Sequence, residues 1–228
     1  MIETKNTDLL TYDLGPGVEA FSTRRHSVLP YPVLTAHQVH GTAIAVISGK
    51  MDRDDLQGFD ALITDIPGLA IGVRTADCVP ILLHDPVRHV VAAVHSGWRG
   101  TVQRIVTKVI AQMGLQYGTR PQDLRAVIGP AIGPDSFQVG EEVVRAFSDT
   151  GFPMDPIWSI REMQLGNPMS GGHHIDLWRA NHWLLGQAGI PENAIQVIGI
   201  DTYQSPEFFS ARRETIACGR IINAIKLL

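Results

Sequence analysis

The sequence predicts a mixed α+β domain with helices packed on sheet faces, and three observations carry that prediction. Short apolar runs rich in Val and Ile recur along the chain, with the length and β-branched composition of strands. Three other segments place apolar residues at helical spacing. The two kinds of segment do not alternate strictly, which argues against a doubly wound parallel sheet. Hydrophobic residues make up 44% of the 228, enough for a sizeable core. No repeat, low-complexity tract or long linker divides the chain, so residues 1–228 read as a single domain.

Taken in order, the predicted strands are "VEAFST" (18–23), "TAIAVIS" (42–48), "LAIGVR" (69–74), "VPILLHD" (79–85), "VVAAVHS" (90–96), "RAVIGP" (125–130) and "AIQVIGID" (194–201). A helix follows Gly100: Val102, Ile105, Val106, Val109, Ile110 and Met113 share one face, with Thr101 as N-cap and Gly114 as the stop. "GEEVVRAFSDTG" (140–151) is a shorter helix whose glutamates suit the dipole in its first turn. Residues 152–174, rich in Pro, Gly and Met, read as a long surface loop or lid. The third helix runs from about Asp176 to Gln187 and buries Leu177, Ala180, Asn181, Leu184 and Leu185.

Composition excludes several function classes. The formal net charge is -4 and no run of Lys or Arg stands out, so neither nucleic acid nor an anionic membrane is an expected partner. The start, "MIETKNTDLL", is too polar for a signal peptide, and no apolar run approaches a membrane span. Two cysteines without a secretory segment fit free thiols in a reducing cytoplasm. Oligomeric state is not set by these features.

The polar turn "DPVRH" (85–89) joins two apolar runs as an antiparallel hairpin. With the turn centred near residue 87, Cys78 lies opposite about residue 96, within one position of His95. Facing residues of such a pair sit roughly 4.5–5.5 Å apart at Cβ. The thiol and the imidazole therefore meet at the open end of the hairpin, next to "SGWRGT", a Gly-rich connection into a helix. A buried Cys beside a satisfied His is the plain structural reading. Against it, Cys78 follows the polar "TAD" at a strand mouth, where a core residue is not needed. In "TAHQVHG", extended chain points His37 and His40 to opposite faces, and one of them is expected to turn inward. A Cys-His-His set with an open fourth position is the ligand pattern of catalytic zinc.

"HQVHG" (37–41), "TADCVP" (75–80), "AAVHSGWRG" (92–100) and "IGPAIG" (128–133) resemble the signature segments of the YfiH/YlmD family. That family is also labelled a multicopper polyphenol oxidase or laccase domain, and it is shared with mammalian FAMIN. "FSTR" (21–24), "FQVG" (137–140) and "FFSARRE" with "CGRI" (208–221) extend the match over nearly the whole chain. The resemblance implies a layered α/β/β/α sandwich with mixed sheets, related in fold to the catalytic domain of cytotoxic necrotizing factor toxin. It implies a metal, zinc with copper as the other ion these donors accept, held by His40, Cys78 and His95, which are also the implied catalytic residues. The implied activity is phosphorolysis of purine nucleosides (adenosine, inosine, guanosine and methylthioadenosine), with adenosine deamination at the same site. Arg24, Arg99, Arg212 and Arg213 lie in matching segments as candidate phosphate contacts, and Gln38 as a candidate substrate contact.

The chain departs from the family pattern in two places. "RHSVLPYPVLTA" replaces a longer family segment before "HQVHG", and Asp201 stands where the family commonly has cysteine. Cys218, in the last apolar segment, reads as core. Three other functions compete. A laccase needs about ten histidines with His-x-His pairs, whereas this chain has nine and no such pair. A hydrolase with Cys78 as nucleophile and His95 as base matches relatives linked to editing L-serine-containing UDP-muramyl peptidoglycan precursors. A non-catalytic binding domain is the third, although the three ligands and the "GWRG" turn all persist.

Overall fold

The computed structural model describes residues 8–49, 53–162 and 171–228. A six-stranded sheet forms its centre, in the order β13 (Ile195–Val197), β9 (Arg125–Ile128), β7 (Val79–Asp85), β8 (Val90–Ser96), β5 (Ala61–Thr64) and β4 (Ile44–Ile47). A five-stranded sheet follows the order β1 (Leu9–Tyr12), β2 (Val18–Thr23), β14 (Ile221–Leu227), β6 (Ala70–Thr75) and β3 (Leu34–Thr35). A small third sheet is β10 (Gln138–Val139), β12 (Gly172–Ile175) and β11 (Trp158–Arg161). Both large sheets mix parallel and antiparallel pairs, β4 with β5 and β3 with β6 being parallel. This is the mixed α+β class that the strand and helix pattern predicts.

Every residue of β7 and β8 is buried, which explains why both read as unbroken apolar runs. Alternation sorts their side chains. Val79, Ile81, Leu83, Val90, Ala92 and Val94 face the helices, while Leu82, Val91 and Ala93 face Ile71, Val73, Ile225 and Leu227 of the second sheet. The helical side comprises α1 (Trp98–Val102), α2 (Ile105–Tyr117), α3 (Glu141–Asp149), α4 (Met154–Ile157) and α5 (Leu177–Gln187), and α6 (Ala211–Glu214) follows near the C-terminus. On the outer face of the second sheet, Tyr31 packs edge-on against Phe21, ring centroids 6.0 Å apart. Among the described residues no helix is long and apolar enough to cross a membrane.

Several expectations are corrected. The helix after Gly100 is two helices, because Arg104 takes a left-handed conformation (φ 60°) between α1 and α2. Thr101 sits inside α1 and not at its cap: its hydroxyl contacts Gly97 O, and Gly97 is the N-cap. Gly114 lies within α2, whose end falls at Gly118 with φ 71°. Of the predicted stripe, Ile105, Val106, Val109, Ile110 and Met113 are buried on α2, while Val102 ends α1 half-buried; Asp176 caps α5 through Arg179 N at 2.9 Å. Residues 152–174 do not form one loop. Ile157 and Ile175 are buried, and β11 pairs with β12 from Trp158↔Ile175 to Arg161↔Gly172, while 163–170 lie outside the described residues. Cys218 is not core: it stands half-buried in the turn after α6, on the wall of the cleft described next.

Candidate metal centre and its cleft

The β7–β8 hairpin sets the first two site residues. Val79 faces Ser96, so the pairing is shifted by one residue from the expected register, and Cys78 falls opposite Gly97. The shift arises because the connection spans four residues, Pro86 to His89, since Asp85 pairs with Val90. Cys78 leaves the strand mouth after Asp77, a non-glycine residue at φ 91°. Gly97 matters for space: a Cβ there would lie 3.0 Å from Cys78 Sγ and 3.3 Å from the His40 ring.

Of the two histidines in "HQVHG", His40 is the one that lines the cleft beside Cys78 and His95, through a left-handed backbone at φ 61°, and it stays exposed there. His37 forms an isolated bridge with Gln57 and faces Asp54 at 3.4 Å. Donor atoms of His40, Cys78 and His95 all lie within 4.8 Å of one another, and the two imidazole rings are 4.8 Å apart between centroids. A thiolate and two imidazoles suit zinc and copper alike. Among the described residues this is the one group of His, Cys and acidic side chains so gathered.

Asp60 completes the arrangement, and the sequence reading missed it. Its carboxylate is fully buried and accepts from His95 Nδ1 at 2.7 Å. It also accepts the backbone amides of Val39, His40 and Gly41 at 3.2, 2.9 and 2.7 Å. One side chain thus holds both the His40 loop and the His95 ring, and leaves His95 Nε2 for an ion. Burial alone would raise its pKa, yet the bonds from His95 and Gly41 leave it lowered. Burial likewise opposes the charged forms of the Cys–His pair, but their mutual attraction wins: Cys78 is lowered to about 6 and His95 raised to about 9. The thiol therefore ionises readily, as a metal ligand must. An isolated acid in "GFDALIT" carries no motif to announce this role.

The three side chains lie in a cleft of about 840 Å³. Its walls include Arg74, Arg212 and Arg220, the rings and stems of Phe137 and Ile132, and the turn Ile216–Gly219. The candidate phosphate contacts separate in space. Arg212 reaches the cleft, held by Gln138 O at 3.1 Å and lying over Phe137. Arg213 turns away and bonds the carbonyls of Thr202, Tyr203, Ser205 and Phe208. Arg24 pairs with Asp8 and Glu207, and Arg99 stacks on Trp98 at 4.4 Å; neither lines the cleft. Gln38 lines the cleft, but both ends of its amide are taken by the backbone of Arg74, at 2.8 Å each. Asp201 accepts from Ser136 Oγ at 2.6 Å and packs under Gly133.

Residues 17–228 match the family model described as multi-copper polyphenol oxidoreductase laccase. The chain belongs to the YfiH/YlmD family. A member from Bacteroides thetaiotaomicron named purine nucleoside phosphorylase is 40% identical, over 92% of this chain and 82% of that protein. A second YfiH/YlmD relative, from an unknown prokaryotic organism and named adenosine deaminase RL5, is 40% identical over 82% of this chain and 72% of its own. Two solved family structures superpose closely. YlmD from Geobacillus stearothermophilus gives a TM-score of 0.80 at 27% identity, covering 95% of this chain and 94% of that one. The YfiH protein of Bacillus licheniformis gives 0.79 at 28% identity, covering 92% and 93%.

Proposed function

We propose that this chain is a zinc-dependent purine nucleoside phosphorylase acting on adenosine, inosine, guanosine and methylthioadenosine, with hydrolytic deamination of adenosine at the same site. The observation that carries this reading is the convergence of His40, Cys78 and His95 on the floor of a cleft walled by Arg74, Arg212 and Arg220. The names of the two relatives at 40% identity support it.

The roles follow from the chemistry each group offers. His40, Cys78 and His95 would hold the ion, with Asp60 fixing the tautomer of His95 and the path of the His40 loop. When bound there, zinc would supply Lewis-acid activation of water or of a substrate oxygen. Phosphorolysis also needs a phosphate held against the sugar C1′, and Arg212 brings a positive charge to the cleft wall from a backbone anchor. Phe137, under the Arg212 guanidinium, adds apolar surface to the cleft wall. Gln38 acts by docking residues 37–41 onto Arg74, a revision of the substrate-contact expectation. We place the protein in the cytoplasm, where its thiols stay reduced. Incubation with inosine and phosphate, reading hypoxanthine and ribose 1-phosphate, tests the proposal.

One observation favours a second reading. Cys78, His95 and Asp60 stand in the order nucleophile, base and orienting acid, with Asp60 2.7 Å from His95 Nδ1. That arrangement suits amide hydrolysis, including editing of peptidoglycan precursors. Metal content separates the two: a zinc-bound thiolate is not free to attack. Protein that purifies without stoichiometric zinc, yet loses amidase activity to iodoacetamide, supports the hydrolase.

A further inference from the structure

Between the two large sheets, beside the apolar Ile71, Val73, Ile225 and Leu227, Tyr12, Ser22, Asn223 and Thr75 bond one another in a row. Tyr12 Oη lies 2.6 Å from Ser22 Oγ, Ser22 Oγ bonds Asn223 Oδ1, and Asn223 Nδ2 lies 2.9 Å from Thr75 Oγ1. Ser22 and Asn223 are fully buried and Thr75 is 1% exposed. Thr75 ends β6 and lines the cleft, three residues before Cys78.

The direction of this chain is fixed by chemistry. The Asn223 nitrogen faces two backbone carbonyls, Val73 O at 3.4 Å and Ile221 O at 3.5 Å, so the amide oxygen must be the end toward Ser22. An amide oxygen only accepts, so Ser22 donates to it, and Tyr12 must then donate to Ser22. The Asn223 nitrogen only donates, so Thr75 Oγ1 is an acceptor there. The one proton of Thr75 is left over. Among the described residues no acceptor takes it. A buried hydroxyl whose oxygen is already engaged, and whose proton is unspent beside a cleft, waits for an acceptor.

We propose that the Thr75 hydroxyl is a substrate-contacting donor, its proton turned into the cleft by the buried chain Tyr12–Ser22–Asn223. The acceptor is an oxygen of the phosphate or of the ribose, and the inference rests on the phosphorylase reading. Successive donors in one direction polarise one another, which makes the terminal hydroxyl a better donor than an isolated threonine. No apolar residue of the same shape could do this, which accounts for a polar chain in a layer built for packing.

The test is steady-state phosphorolysis by zinc-loaded protein, varying phosphate and inosine separately, for wild type, Thr75→Val, Thr75→Ser and Tyr12→Phe. Thr75→Val should lower kcat/KM about ten-fold to a hundred-fold, the range for a lost hydrogen bond to a polar or charged partner. Zinc content should be unchanged. Thr75→Ser, which keeps the hydroxyl, should stay within about three-fold, and Tyr12→Phe should fall between the two. A rise in KM for phosphate alone identifies phosphate as the acceptor, and a rise for inosine alone identifies the ribose. Should the valine variant fail to fold, Thr75→Ala compared with Thr75→Ser makes the same distinction. Thr75→Val at wild-type turnover, or Thr75→Ser as impaired as Thr75→Val, overturns the inference alone. A wild type inactive on every purine nucleoside overturns it together with the phosphorylase reading.

Discussion

Replacing Asp60 with asparagine probes how the centre is held together. The two carboxylate oxygens divide the work: Oδ1 accepts from His95 Nδ1 and His40 N, and Oδ2 from Val39 N and Gly41 N. An asparagine has one oxygen and one NH2 group, so one of those pairs must face a donor. With the NH2 toward Val39 and Gly41, two backbone bonds to the loop bearing His40 are lost. With the NH2 toward His95, the ring must accept at Nδ1, which moves its proton to Nε2 and removes it as a ligand. Hydrogen bonds to a charged acceptor are worth about 1.5–3 kcal/mol each, so two lost bonds amount to at least about 3 kcal/mol. For a chain of this length that is a fall of roughly 6–12 °C in Tm. Zinc affinity should drop about 10–100-fold, the range for a lost partner of a ligating histidine. Competition with a calibrated chelator and a thermal melt read both numbers. Asp60→Asn with zinc affinity within two-fold of wild type and an unchanged Tm would refute this account of the site.

Other variants follow from the same geometry. Gly97→Ala leaves the backbone unstrained at φ -66° but sets a Cβ 3.0 Å from Cys78 Sγ; overpacking of about 1–3 kcal/mol should cost roughly ten-fold in zinc affinity, read by chelator competition, with a native circular dichroism spectrum. Arg212→Met should raise KM for phosphate about ten-fold, with a smaller fall in Tm than Arg213→Met because its guanidinium carries one backbone carbonyl. Arg213→Met should lower Tm more, since its guanidinium carries four backbone carbonyls, and leave KM for phosphate unchanged. Arg25 and Arg213 hold Glu214 down at about 2, against an ordinary 4.5. A depressed carboxylate stabilises the fold above its unfolded pKa and loses that contribution as pH falls. Wild type should therefore lose more stability than Glu214→Gln between about pH 4.5 and 2, which acid titration followed by circular dichroism would show.

The parts of the site that lie on one hairpin were legible in the sequence, because period-two alternation and a short turn set which side chains meet. The one-residue error came from the turn, whose four residues cannot be told from three or five by composition. Extended-chain geometry leaves His40 as one of two, and only the family resemblance singles it out, since the choice depends on a left-handed backbone at residue 40. The arginines show the limit most clearly. Arg212 and Arg213 are adjacent in sequence, but successive residues on a helix point about 100° apart, so one enters the cleft and the other braces the chain. Arg74 ends a predicted strand and Arg220 sits in "CGRI", but nothing in either segment marks its arginine as one that reaches the cleft. Asp60 and the Tyr12–Ser22–Asn223 chain escaped for a related reason: each depends on partners brought together by sheet packing. The stripe on α2 was read correctly, but the break at Arg104 was invisible, since it leaves the apolar spacing intact.

The measurement that bears most directly on the central claim pairs elemental analysis with phosphate-dependent cleavage of inosine, on wild type and on Cys78→Ala. One zinc per chain and turnover in the wild type, both lost together in the variant, is the result expected of an ion held by His40, Cys78 and His95. Full zinc and full turnover in Cys78→Ala would contradict it.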